Sequence, residues 1–126
     1  LTVSITPSST SSKILITSTV NGSQAVAANR VYLTLLRNGI PIFVGDDAGN
    51  RIGRSGGFGN SNSTIIDSAI NANFLDSPSS TSAVVYKWKV GTHGAGTAYI
   101  NRTEQDASNA IQGRWASTIT VMEIAV

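Results

Sequence analysis

The chain of 126 residues contains no cysteine. A disulfide framework and a thiolate zinc site are both excluded, so stability must come from packing or from association. Charge is scarce too: Asp, Glu, Lys and Arg make up 13% of the residues, about half the usual share for a globular domain. Only two Glu (Glu104, Glu123) and three Lys are present, which removes the residues on which helical proteins lean. There is one histidine, His93. No apolar run approaches the ~18 residues that would suggest a membrane span. The opening "LTVSIT" has neither the basic segment nor the cleavage site of a signal peptide, and it lacks an initiator Met, which leads us to expect a part of a longer protein. The net charge of +2 is small and the nine Lys and Arg are scattered. Nucleic-acid binding would require them to cluster in a stripe, so neither nucleic acid nor membrane insertion is expected.

Ser, Thr, Asn and Gly fill the polar role. Seventeen Ser, 13 Thr, 10 Asn and 12 Gly describe strands joined by tight turns. Hydrophobic residues at 40% suffice for a core, and the length suits one domain over residues 1–126. Leu1, Val3 and Ile5 alternate with Thr2, Ser4 and Thr6, and Ile14, Ile16 and Ser18 alternate against Leu15, Thr17 and Thr19, a period-2 strand signal. "NGSQAVAAN" reads as a loop. "RVYLTLLRNGIPIFVGD" reads as a hairpin around Asn38-Gly39, with Pro41 confining the returning strand to an edge. Residues 45–63 are Gly- and Asn-rich and read as a long surface loop, and "TIIDSAINANFLDS" reads as two short strands. In "AVVYKWKV", Val84, Tyr86, Trp88 and Val90 share one face and Lys87 and Lys89 wet the other. "GTHGAG" is a turn from which "TAYINR" returns. Thr103 and Asp106 resemble a capping box, predicting one helical turn before Gly113. The last strand, "WASTITVMEIAV", is apolar on both faces and is expected to be central or to face a partner subunit. Some eight short strands with turns every ten or so residues predict an all-β fold, an antiparallel β-sandwich of jelly-roll type. The pentapeptide PSSTS occurs at residues 7–11 and 78–82 with unrelated flanks. It reads as one joint used twice: Pro ends a strand, hydroxyls satisfy the backbone through the bend, and a core strand follows.

Catalytic chemistry finds little support. His93 has no second His or Cys to join it, and no serine stands in a nucleophile elbow. Glu104 with Asp106, or Asp46 with Asp47, are too close in sequence to act as an opposed acid–base pair. "GDDAGN" offers oxygen ligands but lacks the spacing and distal Glu of a calcium loop, which leaves Asp46 and Asp47 as turn chemistry with Ca²⁺ an open alternative. "GRSGGFGN" looks like a phosphate-cradling loop but is not followed by a helix. Neither enzyme activity nor a cofactor is expected. The residues we take as candidate ligand contacts are Arg51, Arg54, Phe58, Asn60 and Asn62 of the 45–63 loop, with His93 of the neighbouring turn. Tyr86 and Trp88 are assigned to the core. The sequons at Asn21, Asn62 and Asn101 carry no weight in a chain so rich in Asn, Ser and Thr.

Taken together, "LTVSITPSSTSSKILI", "FLDSPSSTSAVVYKWKV", "GTAYINR" and "ASTITVMEI" resemble a small β-rich domain at the C-termini of tail-fibre and other virion proteins of marine and freshwater bacteriophages, including cyanophages. The resemblance implies an extracellular virion appendage, a homotrimer whose tip loops attach to a host-surface glycan or protein. It carries over no functional residue. The alternative is a purely structural virion component, such as a capsid decoration or fibre-shaft module, without a ligand beyond its own neighbours.

Overall fold

The structure, a computed structural model, describes residues 1–24, 30–59 and 68–126. Among these residues nine strands form: β1 (Thr2–Ile5), β2 (Lys13–Gln24), β3 (Arg30–Arg37), β4 (Ile40–Ile42), β5 (Gly56–Gly59), β6 (Ser68–Asp76), β7 (Val84–Thr92), β8 (Ala98–Ile100) and β9 (Thr118–Ile124). All the pairings are antiparallel. A five-stranded sheet runs β1-β7-β3-β4 with β5 also on β3, and a four-stranded sheet runs β6-β2-β8 with β9 also on β2. The molecule is an all-β sandwich. The chain switches sheets at β1–β2, β2–β3, β5–β6, β6–β7 and β7–β8, an order that establishes the sandwich but not the jelly-roll winding.

Alternation along each strand selects what lies between the sheets. Ile14, Ile16 and Val20 of β2 and Ala72 of β6 meet Val31, Leu33 and Leu35 of β3, Phe58 of β5, and Val84, Tyr86 and Trp88 of β7. Fully burying one such side chain stabilises by about 1.5–3 kcal/mol. The two large aromatics of β7 carry polar tips that need partners inside, and both find them on the opposite sheet. The Tyr86 hydroxyl donates to Asp76 Oδ2 at 2.7 Å, and Trp88 Nε1 donates to Ser18 Oγ at 2.8 Å. Asp76, 5% exposed, also receives Arg37 Nη1 at 2.8 and 3.1 Å. Burial first, and then the Asp76 hydrogen bond, push the Tyr86 phenol far up, so it stays a donor.

Both copies of the pentapeptide make the same side-chain contact, on different backbones. Ser9 Oγ accepts from Ser11 N at 3.2 Å, and at the equivalent places Ser80 Oγ accepts from Ser82 N at 3.0 Å. The first copy leads from the five-stranded sheet to the four-stranded one, the second leads back. Only the first is clasped by β9: Glu123 Oε1 accepts from Ser8 N and Ser8 Oγ, each at 2.7 Å.

The Asn38-Gly39 hairpin is as expected, with φ of +48° and +87°, and β4 with Pro41 does lie at a sheet edge. Other expectations change. Asn21–Gln24, read as loop, continue β2. Gly22 is a close-approach glycine, since a Cβ there would sit 2.6 Å from Tyr99 O and 2.9 Å from the Phe58 ring. Residues 68–76 form one strand where two were expected; 64–67 lie outside the described residues. "TAYINR" does not pair back onto β7 but crosses to β2. Val90, in line with the core residues of β7, is 39% exposed because it runs past the stretch paired with β1. No helical turn follows Thr103. Its hydroxyl instead donates to Gln105 O at 2.9 Å, while Thr103 N–Gly113 O and Trp115 N–Asn101 O bonds close the loop, and Asp106 bridges Arg102 and Arg114. Those local bonds outcompete one isolated helical turn, which is marginal on its own. Finally β9 is not central. Among the described residues it pairs only with β2, leaving Met122 and Val126 at 57% and 77% exposure.

Asp76→Asn should lower the unfolding free energy by about 2 kcal/mol, since it weakens charge-assisted bonds to two partners. Chemical denaturation measures this, and an unchanged midpoint would show the two sheets are not joined there. A second expectation concerns acid. The hydroxyl of Ser12, then the hydroxyl and amide of Ser8, hold the Glu123 carboxyl below its ordinary 4.5. A depressed carboxylate pKa stabilises the fold above that value and loses the contribution as the pH falls below it. Thermal melting from pH 6 to pH 2 should therefore show a shallower acid decline in Glu123→Gln than in the parent.

Candidate functional site

The outer face of the five-stranded sheet carries two adjoining clefts. Arg30 and Tyr32 alternate with core-facing Val31 and Leu33 and so point outward from β3. Tyr32 stands opposite Gly57 of β5 on one side and Gly91 of β7 on the other. With no side chain on either neighbour, its ring is the floor of an open trough. Next along the sheet Thr34 pairs with Lys89. Thr34 is buried at 5% and lies in the second cleft.

One wall comes from the β4–β5 connection, which is a small hairpin. Ala48 and Arg51 exchange backbone hydrogen bonds at 2.9 and 3.1 Å, Gly45 N donates to Arg54 O at 3.2 Å, and Asp47 Oδ1 accepts from Gly53 N at 2.5 Å. Ser55 fastens its base: its amide donates to Leu33 O at 3.0 Å, and its hydroxyl accepts from Leu35 N at 2.8 Å. The hairpin thereby holds Arg54 over Tyr32, its guanidinium carbon 5.6 Å from the ring centroid, a cation–π distance, and sets Arg51 in the first cleft. The other wall is the end of β7. His93 N donates to Arg30 O at 2.9 Å, which seats the imidazole beside Arg30.

The first cleft, about 560 Å³, is lined by Arg30, Tyr32, Asn50, Arg51, Ile52, Arg54 and His93. The second, about 290 Å³, shares Tyr32, Arg54 and His93 and adds Thr34, Lys89 and Thr92 with two glycines. No carboxylate lines either one among the described residues. Arg30, Arg51, Arg54 and Lys89 belong to none of the ion pairs found among those residues, which join Arg37, Arg102 and Arg114 to Asp76 and Asp106. Nor do three or more His, Cys, Asp or Glu side chains gather anywhere among the described residues. Among the described residues the arrangement offers an aromatic face and cations without an ion-pair partner, which suits binding.

Of the expected contact residues, the structure brings Arg51, Arg54 and His93 into one site. Phe58 is not available to a ligand. Residues 56–59 form β5 inside what reads as a long loop, and the alternation of that strand puts Phe58 between the sheets at 6% exposure. Asn60 and Asn62 lie outside the described residues. Sequence reasoning missed Arg30, Tyr32 and Lys89. The alternation in "RVYLTLLR" already places the first two opposite the core, but only the register of β3 against β5 and β7 shows that they meet the hairpin.

No protein-family model, curated protein or solved structure matches this chain.

Gly53 tests how the hairpin is held. A Cβ there would lie 1.8 Å from Gly45 O, and crowding of that kind costs about 1–3 kcal/mol. Gly53→Ala should speed amide exchange at Gly45 and Arg51 and leave Trp88 protected, because hairpin and core open separately. Unaltered exchange at Arg51 would mean the hairpin absorbs the methyl group without moving.

Proposed function

We propose that this chain is an attachment module of a phage virion, a tail-fibre tip that holds a host-surface glycan in the outer cleft and does not alter it chemically. The observation that carries this reading is the meeting of Tyr32 with Arg51, Arg54 and His93 in one open trough. Sugars are recognised by an aromatic face under the ring and fixed donors around its rim. A half-buried tyrosine between two glycines, rimmed by Asn50, Thr92 and three arginines, has that form. The resemblance of the strand and joint segments to virion appendage domains supplies the setting, and low charge with hydroxyl-rich surfaces agrees with an extracellular part.

Assembly with further copies of itself, as a homotrimer, belongs to the same proposal. Its support is the apolar row formed across the four-stranded sheet by Leu75, Leu15 and Met122, which the register places side by side on the outer face. Ile124 and Val126 continue it. Closed symmetry is the ordinary way to cover such a row. The same row would serve a purely structural virion component.

Two measurements separate the readings. Light scattering at micromolar concentration should give a trimer, and a monomer removes self-association. On a panel of immobilised glycans the chain should bind, and Tyr32→Ala should weaken binding about five- to tenfold, the loss expected for one stacked ring. A folded trimer that binds nothing on such panels, or binds equally well without Tyr32, returns the chain to the structural role. Release of sugar from any bound glycan overturns the non-catalytic assignment.

A further inference from the structure

We infer that the ligand of this site is a polyanionic saccharide, and that the two clefts read two acidic substituents flanking one sugar ring stacked on Tyr32. The inference rests on the glycan reading above and adds the chemical class of the glycan.

The clefts meet at Tyr32, Arg54 and His93 and diverge from there. Beyond the ring on one side stand Arg30 and Arg51, and on the other stands Lys89 with the hydroxyls of Thr34 and Thr92. Each arm therefore ends in permanent cations, and the shared centre holds a third arginine. Cations crowded around one trough, with no ion-pair partner among the described residues, repel each other, a cost that an anionic occupant reverses. Everywhere else among the described residues, arginine is paired: Arg37 with Asp76, and Arg102 and Arg114 with Asp106. Five of the nine Lys and Arg residues lie on β3, β7 and the hairpin facing this side of the sheet (Arg30, Arg51, Arg54, Lys87, Lys89). The carboxylates nearest in sequence are Asp46 and Asp47 of the hairpin. Asp47 is engaged with the Gly53 amide, and neither lines the clefts. A neutral sugar would leave these cations to water, whereas a sulfate ester or a uronate carboxylate meets guanidinium through paired hydrogen bonds.

The alternation of anion, stacked ring and anion also selects among polyanions. Single-stranded nucleic acid binds along successive aromatic platforms in an extended basic groove; here there is one platform, and the cations stand to either side of it. A polysaccharide bearing an acidic group on alternate or successive residues places charge on both sides of an uncharged ring face.

The test is binding of this chain to four immobilised polymers by biolayer interferometry: dextran sulfate, polygalacturonate, neutral dextran and single-stranded DNA. Binding to one or both acidic polysaccharides is expected, weakened by added salt, with neutral dextran unbound. The sulfated and uronate arms tell which acidic group is preferred. Arg51→Ala and Lys89→Ala, from opposite arms, should each weaken binding about tenfold, a typical loss for one charge-assisted bond, and flatten the salt dependence. Tyr32→Ala should weaken binding but leave the salt slope unchanged. Lys87→Ala is the control: it shares the exposed face of β7 but lines neither cleft, and it should change little. The inference is overturned if Lys87→Ala matches Lys89→Ala, which would mean diffuse charge attraction, or if DNA binds with the same dependence on Tyr32 and Arg51. Tyr32-dependent binding to neutral dextran alone overturns the acidic class and leaves the glycan reading standing. No binding to any of the four, with the chain folded by circular dichroism, overturns the acidic class, and the glycan panel then decides the wider reading.

Discussion

The arrangement depends on one carboxylate. Asp76, at the end of β6, is where the four-stranded sheet takes hold of the five-stranded one: it accepts from Tyr86 of β7 and from Arg37 of β3. A sandwich with no disulfide and little charge has only packing and such bonds to set how its layers sit. Packing alone tolerates sliding; a buried hydroxyl that must find one acceptor does not. The Trp88–Ser18 bond, two residues further along β7, fixes the same strand a second time. Once the inner face of β7 is settled, its outer face is settled too. Lys89 and Gly91 then come to lie beside Thr34 and Tyr32, so the geometry of the outer clefts is inherited from bonds on the other side of the sheet.

The two outer faces have different chemistry. On the four-stranded sheet, Thr17 lies between Asn73 and Thr120, and Thr19 between Asn71 and Thr118, a neutral array in which Thr19 already donates to Asn71 at 2.7 Å. On the five-stranded sheet the cations gather. The net charge of +2 therefore conceals a polarised molecule, in which the hairpin of residues 45–55 adds two arginines to a face that already carries Arg30, Lys87 and Lys89.

The period-2 pattern made strands, turns and the core of β7 legible in the sequence, because alternation is a local property and burial follows it directly. The exposure of Arg51, Arg54 and His93 was legible for a similar reason, since polar residues in Gly-rich connections tend to be exposed. The misreadings share a cause. Phe58 stands among glycines, and glycine signals a loop unless a partner strand is known; β5 exists because β3 offers it an edge. Gly22 likewise reads as a turn but is the place where β2 passes close to β8 and the Phe58 ring. The helical turn after Thr103 failed because Asp106, read as a capping partner, is occupied by Arg102 and Arg114. Tyr32 and Lys89 were absent from the expected site because their meeting is set by inter-strand register, which no short window of sequence contains.

The twin joints show how little direction a turn encodes. Residues 7–11 and 78–82 are identical, and each is closed by the same serine hydroxyl accepting from the amide two residues on. Yet one carries the chain across the sandwich and the other brings it back. Even the backbone differs, since Ser79 has a φ of +50° and its counterpart Ser8 does not adopt positive φ. The pentapeptide is thus a symmetric fitting: it says that a bend occurs and leaves the destination to the strands it joins. Exchanging one copy for the other would leave the chain unchanged, so whatever separates outbound from return must lie outside the pentapeptide.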